Sequence, residues 1–286
     1  MMPITVPFYQ GTIHIMNVFL VCSWLIFSFL FWRGLRRWGI DEDHIFDLTF
    51  YSSIVTFIVS RAGFVLTHPD IFVGKSLLLV AALWIAPGFS WLFGFIGGLA
   101  TLVMLSRFYK VRLGLVLDTI ALALPLPIIV SEVGSLFTGI EMGKPSMLPW
   151  AIRQGKNAVA RHPIQFYDMI AVLLLALVVT RLSSIAVKKK WAYGLLGVWF
   201  ILLYSLVSFG LEFLKDTRVY WGNLSANQWL LIGIFAESIG VLYIRGGGRE
   251  FMRPILMKIA DQGSRIRKGL YAIVSRKNVT GPQKTS

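Results

Sequence analysis

The octapeptide RHPIQFYD, residues 161–168, brings an arginine, a histidine, an amide, a phenol and a carboxylate within about two helical turns. Each type has its own chemistry. Arg161 offers a planar fork of donors suited to phosphate or carboxylate. His162 can exchange a proton near neutral pH. Pro163 is favoured in the first turn of a helix. In a helix starting there, Gln165 and Asp168 lie three apart on one face. The next residues are MIAVLLLALVV. Polar chemistry thus stands at the entrance of an oily helix.

Other ionisable residues lie inside apolar runs: Arg61, Glu132 and Glu212, together with Asp168 itself. Such residues are costly in a bilayer and functional by default. Counted back from the run ends at about 1.5 Å per residue, all four fall in the same half of the bilayer. A polar pocket between helices, open to that side, would collect them together with Arg161, His162 and Gln165. Asp118 and Glu237 lie deeper or nearer the other side and are read as structural.

The elements that would position this chemistry follow from composition. The chain has 286 residues, 56% hydrophobic and only 15% charged, with mean hydropathy +0.69. Soluble domains carry about 25% charged residues, so this chain cannot cover a soluble surface. Runs of about 20 apolar residues span a bilayer as helix. Seven fit: 12–32, 46–67, 88–107, 114–138, 164–186, 191–214 and 226–245. The run SLLLVAALWIA, 76–86, is too short to span and reads as a re-entrant or interfacial piece. Pro125 and Pro127 break the fourth span near its middle. The expected fold is an all-α integral membrane bundle of seven transmembrane helices, with an outward-facing cavity between helices and a re-entrant segment.

Charge sets the expected orientation. Twenty Lys and Arg residues fall on one side, in the loops after spans one, three and five and in the final stretch; seven fall on the other. The positive side faces the cytoplasm, which puts the N-terminus outside and the C-terminus inside. Residues 1–246 form the membrane domain, and 247–286 a basic cytoplasmic tail. The net charge of +14 is read as lipid contact and topology; no groove-reading or stacking motif suggests nucleic acid. The single cysteine, Cys22, reads as a small buried side chain. The N-terminal stretch lacks a basic region, so the first run is not expected to be a cleaved signal peptide. No spacing suggests a metal, nucleotide or redox cofactor.

Several of these stretches resemble the prolipoprotein diacylglyceryl transferase family. RHPIQFYD is similar to its Arg-His-Pro-Ser-Gln-Leu-Tyr-Glu. SRAGFVL (60–66) resembles Gly-Arg-Ile-Gly-Tyr-Val, and PGFSWLFGFIGG (87–98) resembles Gly-Gly-Met-Ser-Phe-His-Gly-Gly. SEVGSLFTGIEMGKP (131–145) is similar to the signature Gly-Arg-(Ile/Leu)-Gly-Asn-Phe-(Ile/Leu)-Asn-(Gly/Ser)-Glu. SFGLEFLKD (208–216) and SANQWLLI (225–232) resemble its last two motifs. The order holds from about residue 11 to 246.

The resemblance implies a seven-span bacterial inner-membrane enzyme. It would move a diacylglyceryl group from phosphatidylglycerol, or another anionic lipid, to the lipobox cysteine of a lipoprotein precursor. It implies Arg61, Arg161, Gln165, Tyr167, Gly134, Gly143 and Glu141 as substrate-binding, with His162 or Glu132 as base and Glu212 as an orienting acid. The match also has gaps. Leu92 stands for the family histidine, Glu132 for the signature arginine, Ser135 for its asparagine, Ser208 for the arginine of the sixth span and Met16 for a tyrosine, while His14 is kept. These losses raise an alternative: an inactive relative that binds phospholipid or lipoprotein precursor. A transporter fits less well, since no inverted repeat is visible.

Overall fold

The computed structural model describes residues 5–8, 11–76, 78–82, 86, 88–139, 143–153, 159–216, 222–248, 250 and 257. By packing, the chain divides into two units, Met1–Ser238 and Ile239–Ser286. The second unit is described only at the end of the last helix, through Gly248, and at Glu250 and Met257. The remainder of the expected basic tail lies outside the described residues.

A short antiparallel hairpin opens the chain: β1 (Thr5–Phe8) pairs with β2 (Gly11–His14). The first span therefore starts at Ile15 rather than at 12, because the residues before it are held in a strand ladder. The rest is helical. Long helices are α1 (Ile15–Arg36), α2 (Glu42–Thr67), then, after the single turns α3 (Pro69–Phe72) and α4 (Leu78–Ala81), α5 (Trp91–Phe108). They are followed by α6 (Leu113–Ala123), α7 (Pro125–Thr138), α8 (Ile164–Lys188), α9 (Leu195–Glu212) and α10 (Ala226–Arg245).

Six of these are long and apolar enough to cross a membrane, and α6 with α7 makes a seventh, bent by 44°. Eighteen residues of helix reach about 27 Å and 22 about 33 Å, bracketing a hydrocarbon core of about 30 Å. In α1 only 11% of the most apolar window is buried. That apolar surface is not a core, and it suits lipid. Cys22 lies on this surface, exposed, and not buried as its small size suggested: the inward side of that turn is taken by Ser23.

The bent span is the centre of the bundle. α1 packs along both halves, α8 reaches both, and α9 lies against α6. α2 and α5 form a separate close pair attached beside α1 and α6. The bend has the expected cause. Pro125 and Pro127 have no N–H, so the two alternate rungs back to residues 121 and 123 are missing. Both prolines are buried, as are Ala121 and Ala123, so the interrupted stretch faces protein.

Glycine sets the helix spacing. A Cβ on Gly97 would lie 2.8 Å from Val59 Cβ, and one on Gly98 2.4 Å from the Thr56 hydroxyl, so α5 rides directly on α2. A Cβ on Gly134 would sit 2.6 Å from Phe19 Cβ, which places α7 equally close to α1. Small residues at such contacts are the usual means of joining helices in lipid.

Asp118, expected to be structural, caps a neighbouring helix. Its two carboxylate oxygens accept the N–H groups of Gly194 and Gly197, each at 2.8 Å. These are orphan donors at the start of α9, and the negative charge meets the positive end of its dipole. Gly194 fits the turn with φ +97°. Replacing Asp118 by Ala should destabilise the bundle by about 1–2 kcal/mol, read as a lower unfolding temperature in detergent with the helical content unchanged.

Candidate site at the helix ends

The polar site is built where α7 and α9 end and α8 and α10 begin. Lys215, three residues past the end of α9, extends its ammonium to 3.8 Å from Asp168 Oδ2 on α8 and 4.0 Å from Glu212 Oε2. Tyr204, two turns before Glu212 on α9, has Ser208 beside it one turn on and lies within electrostatic reach of Asp168, Lys215 and Glu132. Three helices thus contribute to one group: Glu132 from α7, Asp168 from α8, and Tyr204, Ser208 and Glu212 from α9. Two carboxylates, Asp168 and Glu212, approach the one ammonium.

Glu212 is the most enclosed of them, with 4% of its side chain exposed. Its Oε1 accepts the Ser225 hydroxyl at 3.0 Å and the Asn227 amide at 3.2 Å. Ser225 and Gln228 also cap α10 reciprocally. The Ser225 N–H donates to Gln228 Oε1 at 2.9 Å, and the Gln228 N–H donates to the Ser225 hydroxyl oxygen at 3.2 Å. This is a capping box, and it ties the start of α10 to the end of α9.

The segment carrying Arg161 and His162 is stitched in place by backbone bonds. Ile152 and Arg161 exchange both of theirs, at 3.0 and 2.9 Å. The His162 N–H donates to Lys144 O at 3.1 Å, and the Lys144 N–H to Leu214 O at 2.8 Å. Gly143 has a steric reason to be glycine: a Cβ there would fall 2.2 Å from His162 O. The Arg161 guanidinium donates to Gly143 O at 2.9 Å and pairs with Asp216. His162 Nδ1 lies 3.3 Å from the Tyr167 hydroxyl, which also accepts the Trp150 indole N–H at 2.8 Å. Gln165 is 1% exposed, and Asp168 is on the same face.

Arg61 has different neighbours. It is 6% exposed on α2. Its guanidinium donates to the carbonyls of Leu79, Val80, Ala86 and Gly88, at 2.8–3.3 Å. It also lies over the rings of Phe64 and Phe72, at 5.6 and 5.4 Å. Arg61 therefore ties together the carbonyls of Leu79 and Val80 in α4 and of Ala86 and Gly88 beyond it. Ser60 adds to this by donating to Ser90 O at 2.8 Å. Residues 77, 83–85 and 87 of that segment lie outside the described residues.

The residues singled out in the sequence thus sort into groups. Glu132 and Glu212 join one cluster with Asp168. Arg161, His162, Gln165, Tyr167 and Gly143 belong to the adjoining strand-like segment and the first turns of α8. Gly134 is packed against α1. Glu141 lies outside the described residues. Leu92 is 36% exposed at the start of α5. Ser135 is buried on α7, and the Met16 sulfur lies 3.1 Å from where a Gly134 Cβ would stand. Lys215, Tyr204 and Asp216 were not picked out beforehand. Lys215 sits three residues after Glu212, a spacing that pairs opposite charges on a helix, and the Ser-x-x-Gln pattern before an apolar run marks the cap of α10.

Helices long and apolar enough to cross a membrane around a bent central pair, with acids, cations, histidine and tyrosine grouped at one end, define a polytopic membrane protein. The profile of the prolipoprotein diacylglyceryl transferase family matches residues 3–244, and the chain belongs to that family. It is similar to proteins named phosphatidylglycerol–prolipoprotein diacylglyceryl transferase in several bacteria. The one from Bordetella avium is 28% identical over 80% of this chain and 90% of its own length. That from the Wolbachia of Brugia malayi is 26% identical over 71% and 81%, and that from Bordetella parapertussis 31% identical over 68% and 75%.

Arg61→Ala should leave four carbonyls without their donor. The expected cost is about 3 kcal/mol, with faster amide exchange across residues 78–90 by mass spectrometry and little change in α8 and α9. Lys215→Ala should raise exchange instead at the start of α8 and the end of α9.

Proposed function

We propose that the chain is a diverged transferase of this family, moving a diacylglyceryl group from a phospholipid to the cysteine thiol of an exported lipoprotein precursor. In that reaction the sulfur bonds to a glycerol carbon as the carbon–oxygen bond to phosphate breaks, and glycerol phosphate leaves. The nucleophile is the thiolate, so the thiol proton must pass to a base. His162 suits that role, and its contact with Tyr167 orients the ring. Glu132 is the other group of fitting chemistry. Charge grows on the departing phosphate, and cationic donors stabilise it. Arg161 and Lys215 are two cations at this end of the bundle, with Asp216 paired to the first and Glu212 and Asp168 beside the second.

The observation that supports this reading best is the segment 161–168, which keeps Arg161, His162, Pro163, Gln165 and Tyr167 of the motif and is docked by backbone bonds beside the Glu212 network. A second reading, an inactive relative that binds phospholipid or lipoprotein precursor, rests on a different observation. Glu132 and Ser208, which replace two cations of the resemblance, both lie near Tyr204. Arg61 is engaged with backbone carbonyls.

The excess of basic residues in the loops after α1, α5 and α8 supports a bacterial inner-membrane protein whose N-terminus faces outward and whose C-terminus faces the cytoplasm. Residues 1–246 then form the membrane domain and 247–286 a basic tail.

Purified protein with phosphatidylglycerol and a lipobox peptide should add one diacylglyceryl mass to the peptide cysteine, and His162→Ala should lower the rate by about a hundredfold or more. No product, with phospholipid still copurifying, would favour the second reading. Gain of turnover in a Leu92→His, Glu132→Arg variant would then identify the replaced residues as the cause.

A further inference from the structure

At the opposite end of the bundle the ends of α1 and α5 and the starts of α2, α6 and α9 enclose a cleft of about 390 Å³. Its cations are Lys110 and Arg112, in the link between α5 and α6. Its aromatic walls are Trp38, Tyr109 and Tyr193. None of these residues belongs to the network around Glu212 and Arg161.

The cleft is built from held parts. The Arg112 guanidinium lies over the Tyr193 ring at 5.4 Å, and Trp38 meets the same ring edge-on at 5.7 Å. Tyr193 is fixed by its backbone. A Cβ on Gly114 would fall 2.4 Å from Tyr193 O, and Asp118 clamps the next residue, Gly194. On the other side Tyr109 stacks on His44 at 4.4 Å and donates its hydroxyl to Asp47. That hydrogen bond pushes the Tyr109 hydroxyl above its ordinary pKa, so the ring stays neutral. Lys110 adopts φ +57°, a conformation uncommon for a side-chain-bearing residue. Arg112 is the N-cap of α6, so the positive end of that helix dipole also faces the cleft.

Two exposed cations, a helix N-terminus and three aromatic walls at the end of membrane-spanning helices suit one kind of group. We propose that this cleft binds a glycerophosphoryl anion at the headgroup level of the basic end, its phosphate on Lys110 and Arg112 and its glycerol against Trp38 and Tyr193. Asp41 is the one carboxylate in the lining; 82% of its side chain is exposed, and it lies 3.8 Å from His44, so its charge is screened and partly balanced. The chemistry is common to an anionic phospholipid and to free glycerol phosphate, and the test separates them.

Full-length protein in nanodiscs of phosphatidylcholine with phosphatidylglycerol, released into native mass spectrometry, is compared with a Lys110→Gln, Arg112→Gln variant. Both positions are exposed, so the variant should fold. A Lys188→Gln, Lys189→Gln variant removes the same charge elsewhere at that end. In parallel, the unfolding temperature of each protein in detergent is followed with glycerol phosphate. A retained phosphatidylglycerol lost at least tenfold in the cleft variant, but not in the control, supports a lipid occupant; two headgroup-level cations supply about that much. A shift with glycerol phosphate that the cleft variant alone lacks supports the free phosphate. Equal behaviour of wild type and cleft variant in both measurements, or equal losses in the cleft and control variants, overturns the proposal.

Discussion

A peptide group without a partner in hydrocarbon costs several kcal/mol, and this constraint organises the bundle wherever a helix stops short. Three such places are visible. Carbonyls in α4 and just beyond it are taken by Arg61. The first N–H groups of α9 are taken by Asp118. The start of α10 is closed by Ser225 and Gln228, with Glu212 behind them. In the first two a charged side chain completes the backbone; in the third the neutral Ser225 and Gln228 do so, and Glu212 holds the Ser225 hydroxyl.

This duty changes how the intramembrane charges are read. A guanidinium that holds four carbonyls is positioned by them and is not at leisure to follow a ligand. The charges that remain at the site end are of mixed sign, with acids in the majority around Lys215. The family's reaction asks for cations where a phosphate leaves. Under the proposed reading that demand falls on Arg161 and Lys215, both already paired with acids. Any phosphate approaching them has to compete with Asp216, Asp168 and Glu212.

The spans were legible because long apolar runs have no other use, and the fourth was legible as broken because proline removes a donor wherever it falls. The grouping of Gln165 with Asp168 followed from helical spacing. The fate of Arg61 could not be read, because nothing in the sequence around it says that carbonyls from residues 79–88 fold back onto it. Lys215 was similarly hidden: as a loop cation it resembles any other, and only the bend at the end of α9 turns it inward. The burial expected of Cys22 failed for a general reason, since in lipid an apolar surface has no need to be inside. The hairpin at 5–14 is short and polar enough to carry no strong strand pattern.

The break at Leu124 has a mechanical corollary. With two rungs missing, the hydrogen-bond ladder is softest there; α1 and α8 pack against both halves, and α9 against α6. α6 is clamped to α9 through Asp118, while α7 lies on α1 and α8 and carries Glu132. Compliance is therefore concentrated in one flexure at mid-depth. A tilt of α7 that made room beside Glu132 for a bulky hydrophobe would be absorbed at that joint, leaving the opposite rim of the protein undisturbed.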